Sequence, residues 1–151
     1  MSLFFTIPHF KNTFLFWLLL VATIDMVCAQ VIPGAENTAS YINKLRGKKI
    51  GLVAHQASIV KTPAGTKHLV DVLLEKGIRL QGVFAPEHGF RGTADAGEKI
   101  KDGKDAETGL SIYSLYGENR KPKPEQLQEV ELMVFDLQDV GVRFFTYLST
   151  L

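Results

Sequence analysis

Apolar positions along the chain alternate between short continuous runs and stripes at helical spacing. Asn37 through Arg46 places Ala39, Ile42 and Leu45 on one stripe, and Gly47 supplies a stop, so a helix is predicted there. Lys49 to Ala54 (KIGLVA) is a short apolar run with β-branched residues, of the kind that forms a strand covered on both faces. Thr66 to Lys76 returns to helical spacing through Leu69, Val72 and Leu73, with Gly77 at the position that ends a helix. Leu80 to Ala85 (LQGVFA) predicts a second strand, ended by Pro86, and Ile112 to Tyr116 a short one. Pro124 to Glu129 reads as the first turns of a helix with Pro124 near its start, and Leu132 to Leu137 (LMVFDL) as the last clear strand. Val142 to Leu151 begins what reads as another helix.

Strand, helix, strand, then helix and strand is the rhythm of an α/β fold with a mostly parallel sheet flanked by helices. Residues 86 to 109 interrupt it with a polar segment carrying Gly89, Gly92, Gly97, Gly103 and Gly109. A connection longer than about 12–15 residues usually has a function of its own. Few helices follow to cover the sheet, so the fold reads as truncated, the N-terminal part of a longer protein. There is no internal repeat.

Upstream, Lys11 precedes an apolar run from Phe14 through Ala22, too short for the ~20 residues that cross a bilayer. Val27-Cys28-Ala29 then offers a cleavage site before Gln30, so residues 1–29 are expected to be a secretory signal peptide. An uncleaved anchor, or a lipid on Cys28, is the alternative. Export to the periplasm or the extracellular space is therefore expected, with no stable membrane span in the mature chain. Removing 29 of the 151 residues leaves 122, enough for one core and not for two complete domains. The hydrophobic fraction of 46% excludes bulk disorder, and Lys+Arg 17 against Asp+Glu 16 gives no field that would recruit nucleic acid. Cys28 is the single cysteine, so the mature chain has no disulfide, thiolate nucleophile or cysteine zinc site.

In open α/β sheets, ligands bind beyond the carboxyl ends of the strands. Three predicted strands end in polar runs: His55-Gln56-Ala57-Ser58; Pro86-Glu87-His88-Gly89-Phe90-Arg91-Gly92; and Asp136-Leu137-Gln138-Asp139-Val140-Gly141-Val142-Arg143. Glu87, between a rigid proline and the His88-Gly89 pair, is the candidate general acid, since partial burial raises a carboxyl toward neutrality. The plainer reading has Glu87 bracing its loop through Arg91, and Asp136 or Asp139 bonding backbone. His55 and His88 with these acids make only a weak metal signal, and no cofactor is called for. G-x-S-x-G, G-x-G-x-x-G and P-loop patterns are absent from the sequence. Tyr113, Tyr116 and Tyr147 are candidates to line a sugar site, or core.

The longer motifs point further. FAPEHGFRG (84–92) with ADAGE (94–98), then SLYG (114–117) with Arg120-Lys121-Pro122, then VFDLQDVGVRFFTY (134–147) occur in order. Together, over residues 48 to 151, they resemble the N-terminal domain of the NamZ-type exo-β-N-acetylmuramidases. The resemblance implies a Rossmann-like domain over residues 48–151, preceded by a linker and helix over 30–47, with a C-terminal domain that this chain lacks. It implies a glycoside hydrolase that releases terminal N-acetylmuramic acid from peptidoglycan fragments, with Glu87 at the catalytic glutamate. His88, Arg91, Asp136, Gln138, Asp139, Arg143 and Tyr147 match motif positions that would line the cleft. Arg91 or Arg143 would pair with the lactyl carboxylate of the sugar. The competing functions are a non-catalytic cell-wall sugar-binding module and a metal-dependent hydrolase.

Overall fold

The computed structural model describes residues 31–87, 89–92, 102–117, 119–142 and 147–150. The signal-peptide expectation, His88 and Arg143 lie outside them. In chain order the elements are α1 (Thr38–Leu45), β1 (Lys49–Ala54), β2 (Ile59–Thr62), β3 (Gly65–His68), α2 (Leu69–Glu75), β4 (Arg79–Ala85), β5 (Gly103–Lys104), β6 (Ser111–Ser114), α3 (Pro124–Leu127), β7 (Leu132–Asp136) and a 3-10 helix (Tyr147–Thr150). Five strands form one sheet in the order β5-β6-β4-β1-β7, and β2 pairs with β3 in a separate hairpin. The pairs β1–β4, β1–β7 and β4–β6 are parallel, while β5 runs antiparallel to β6 at the edge. This is the mostly parallel α/β sheet that the hydrophobic pattern predicts. Among the described residues no helix is long and apolar enough to cross a membrane.

Each face of the sheet has its own cover. Ile50, Leu52 and Ala54 of β1, with Leu80, Val83 and Ala85 of β4, meet Ile42 and Leu45 of α1 and Leu69, Val70, Val72 and Leu73 of α2. Val53, Phe84 and Leu115 lie on the opposite face with Tyr113, Phe135, Leu137 and Leu127 of α3. Alternation along β1 explains this division directly. Along β4 it does not, because Leu80 and Val83 are three residues apart yet share a face. The register supplies the reason: Ile50 pairs with Leu80 but Gly51 with Gly82, so Gln81 is an extra residue that resets the alternation. Gly82 also lets Tyr113 lie against the sheet, since a Cβ there would stand 2.7 Å from the Tyr113 ring.

The segment before α2 departs from the helical reading of Thr66 onward. Thr66, Lys67 and His68 belong to the β2–β3 hairpin, whose ladder runs from Ile59↔His68 to Thr62↔Gly65 across Pro63-Ala64. Gly65, at φ +114°, takes a conformation that side chains disfavour, and Thr62 Oγ1 donates to its carbonyl at 2.7 Å. The helix begins only at Leu69, because the His68 ring accepts the Val70 N–H and caps it.

The chain steps outward from β1 through β4 to β6, then returns to place β7 on the other side of β1. The order therefore reverses between β1 and β7, and the carboxyl ends of β1, β4, β6 and β7 open toward one edge.

Candidate active site

The turn after β1 is closed by Ser58, whose N–H donates to the His55 carbonyl at 2.9 Å. Its buried hydroxyl accepts the His55 N–H at 3.2 Å and donates to the Asp136 carbonyl at 2.7 Å, tying the end of β1 to the end of β7. That proton is committed to a carbonyl, so Ser58 serves as a pin at the switch point. His68 closes the same turn from beneath, with Nε2 bonded to the His55 carbonyl at 3.0 Å and Nδ1 to the Val70 N–H at 3.2 Å. An accepting Nδ1 places the ring proton on Nε2. Burial lowers the His68 pKa, so the ring stays neutral.

The second polar run leaves β4 at Ala85 and turns through Pro86 and Glu87, with the Gly89 N–H on the Pro86 carbonyl at 3.2 Å. Phe90 is buried edge-on against His68, with ring centroids 4.9 Å apart, and the Arg91 guanidinium lies 4.7 Å from the Phe90 centroid. Gly92 closes on the β1 turn, where a Cβ would come within 2.9 Å of Gln56.

Arg91 directs its donors inward. Nε and one terminal nitrogen bond Asp105 at 2.9 and 3.0 Å, two contacts reach Asp71 at 3.0 and 3.3 Å, and Nη1 pairs with Glu107 at 3.2 Å. The carboxylates push the guanidinium pKa up, Asp105 most. Asp105 is itself buried and takes two further bonds from Thr108, at 3.1 Å from the backbone and 2.6 Å from the hydroxyl. In this arrangement Arg91 clamps the loop that carries Glu87 to α2 and to the 105–110 turn. Nothing in the sequence singles out Asp71, and only an Asp-x-x-Thr-Gly turn pattern at 105–109 marks Asp105.

Glu87 stands among tyrosines. Tyr116 follows β6 beside it, and the nearby Glu87 carboxylate raises the Tyr116 pKa. Tyr147 is raised by burial first and then by the same charge, and its ring meets His55 edge-on with centroids 5.1 Å apart. Glu87, Tyr116, Tyr147 and His55 thus gather at one sheet edge from four separate segments.

The acids beyond β7 sit differently. Asp136 lines a cavity of about 220 Å³ with Tyr41, Leu69, Leu73 and Phe135. Tyr41 donates to the Ala35 carbonyl at 2.7 Å there, and its pKa is raised by burial and then by Asp136. Asp139 accepts the Gly141 N–H at 2.7 Å within its own exposed turn, and Gln138 is exposed beside it. Among the described residues no three His, Cys, Asp or Glu side chains gather as a metal cage.

Comparison with known proteins now decides the family. Residues 50–151 match the family model described as exo-β-N-acetylmuramidase NamZ, N-terminal. The chain belongs to the NamZ N-terminal family. Over 112 residues it is 45% identical to the peptidoglycan β-N-acetylmuramidase NamZ of Bacillus subtilis (strain 168), covering 74% of this chain and 26% of that protein. Two crystal structures of DUF1343 family proteins from Bacteroides fragilis NCTC 9343 are similar in fold to this chain. One matches with TM-score 0.65 and 38% identity, over 78% of this chain and 28% of its own. The other has TM-score 0.64 and 36% identity, over 80% and 29%. The chain spans about a quarter of the length of these relatives.

Proposed function

We propose that this chain supplies the general acid of an exported glycoside hydrolase that removes terminal N-acetylmuramic acid from peptidoglycan fragments. Membership in the NamZ N-terminal family supports the reaction class, and a relative 45% identical carries the peptidoglycan β-N-acetylmuramidase name. The observation that carries the residue assignment is Glu87 at the carboxyl edge of a buried parallel strand, its loop braced from behind by the Arg91 clamp. A loop held this way presents its carboxyl to a ligand in one orientation. In the reaction the Glu87 proton passes to the glycosidic oxygen as the bond to the sugar carbon breaks and its electron pair stays with the departing alcohol; a water molecule bonds its oxygen to that carbon and releases a proton that balances the one Glu87 gave. The apolar run and the small-residue site before Gln30 support export, which places the enzyme beside its substrate.

The test uses the complete product of the gene and a disaccharide with muramic acid at its non-reducing end. Glu87→Gln preserves shape and hydrogen bonding but donates no acid proton, so turnover falls by ~10²–10⁴-fold while binding survives. An aryl glycoside with an activated leaving group loses far less. Near wild-type turnover of the disaccharide by Glu87→Gln would move the acid elsewhere. Binding without turnover in the wild-type protein would favour a sugar-binding module, and loss of turnover with chelator a metal-dependent hydrolase.

A further inference from the structure

Three polar side chains lie near Asp136, and each spends its hydrogen bonds elsewhere. Ser58 gives its hydroxyl proton to the Asp136 backbone carbonyl at 2.7 Å, and Tyr41 donates to the Ala35 carbonyl at 2.7 Å. Both His68 nitrogens are taken, by the His55 carbonyl and the Val70 N–H. The Arg91 guanidinium, whose charge also reaches His68, is engaged by Asp71, Asp105 and Glu107. Among the described residues no hydrogen bond or ion pair reaches the Asp136 side chain. Its surroundings are apolar. Alternation along β7 puts Val134 and Asp136 on the face that α1 and α2 cover. The cavity of about 220 Å³ on that face is walled by Leu69 and Leu73 of α2, Tyr41 of α1, and Val134. Leu69 and Leu73 are buried, so this wall is part of the core. A cavity of ~150 Å³ admits benzene, so this one has room for a stem of several carbons.

We propose that this cavity is a binding site for a primary alkylammonium group, the ammonium on Asp136 and the carbon stem against Tyr41, Leu69 and Leu73. A carboxylate with unshared lone pairs takes N–H donors in charge-assisted bonds, and a primary ammonium brings three. Its unbranched stem covers apolar surface while the charged end stays on the acid. The Tyr41 ring adds attraction for a cation at its face. His68 does not compete for Asp136 with a positive charge of its own, because burial keeps the ring neutral. Glu87 has no part in this site, since β1 separates its strand β4 from β7.

The complete gene product, methyl-labelled and followed by NMR at pH 7, is titrated with n-pentylammonium and with n-pentanol. The ammonium should bind about 10- to 100-fold more tightly than the alcohol, the range for a hydrogen bond to a charged group. The methyl signals of Leu69, Leu73 and Val134 should move in that titration. Asp136→Asn keeps the side-chain shape, removes the charge and should bring the two ligands to equal affinity. Nα-acetyl-lysine methylamide separates the sources: binding like n-pentylammonium supports a lysine side chain of a peptide, and its exclusion supports a free amine. No saturable binding of n-pentylammonium, equal affinity of wild type for amine and alcohol, or methyl shifts only outside the cavity overturns the proposal. So does a preference for the amine that survives Asp136→Asn; should that variant fail to fold, the wild-type comparison decides alone.

Discussion

Arg91→Met is the sharpest test of what holds the Glu87 loop. Methionine keeps much of the aliphatic bulk over Phe90 but removes every contact to Asp71, Asp105 and Glu107. The exposed Glu107 contributes little, with 66% of its side chain open to water. Asp105 is different: its side chain is 5% exposed and loses its bidentate partner. Removing one member of a buried pair costs ~3–5 kcal/mol, and the two surviving Thr108 donors argue for about 3 kcal/mol. Against a typical stability of ~5–15 kcal/mol that is a large share. With a urea m-value of ~1–3 kcal/mol/M, the unfolding midpoint should fall by about 1–3 M at pH 7. The pH dependence supplies a second reading. Burial raises the Asp105 pKa, but the Arg91 and Thr108 bonds outweigh it and the net direction is downward. A depressed carboxyl contributes stability above its unfolded pKa of ~3.9, and that contribution is lost as pH falls through the folded value. The gap between wild type and Arg91→Met should therefore be full at pH 7 and shrink below about pH 4. A penalty under about 1 kcal/mol, the size of a surface pair, or one independent of pH between 7 and 2, refutes the clamp.

Two further outcomes follow from the packing. His68 has a pKa lowered chiefly by burial, so the native state holds fewer protons than the unfolded chain below ~6.5. Its contribution to stability is full above that pH and is lost on acidification toward the folded value; urea midpoints at pH 7.5 and 5 should differ more for wild type than for His68→Asn, and equal differences would contradict the buried neutral ring. Gly82→Ala should cost ~1–3 kcal/mol in urea unfolding, because its Cβ meets the Tyr113 ring at 2.7 Å and the Ser111 carbonyl oxygen at 3.1 Å. A neutral substitution would mean that the ring moves freely off the sheet.

The local pattern was sufficient for much of the architecture. The central parallel strands β1 and β4 are short apolar runs because burial on both faces demands them, and α1 declares itself through Ile42, Leu45 and the stop at Gly47. The polar residues after each strand announced a candidate edge before any geometry was known, because parallel strands in a mostly parallel sheet end on the same side. The tertiary structure decided what lies between segments. The extra residue at Gln81 shows only when β4 is laid against β1, since alternation within one strand carries no information about its neighbour's register. Thr66, Lys67 and His68 read as helix because Leu69, Val72 and Leu73 dominate the local spacing; their pairing with residues 59–62 is a contact across a turn. Arg91 carried the same letter whether it faced a ligand or the protein. Only folding brings it to Asp71 and Asp105, 20 and 14 residues away, where burial makes the contacts strong. The β4–β6 pairing brings Tyr116 and Glu87 to neighbouring strand ends for the same reason. A single chain specifies its local conformations through side-chain shape and polarity, whereas the partners of a charged or hydroxyl group depend on distances that exist only after the strands align.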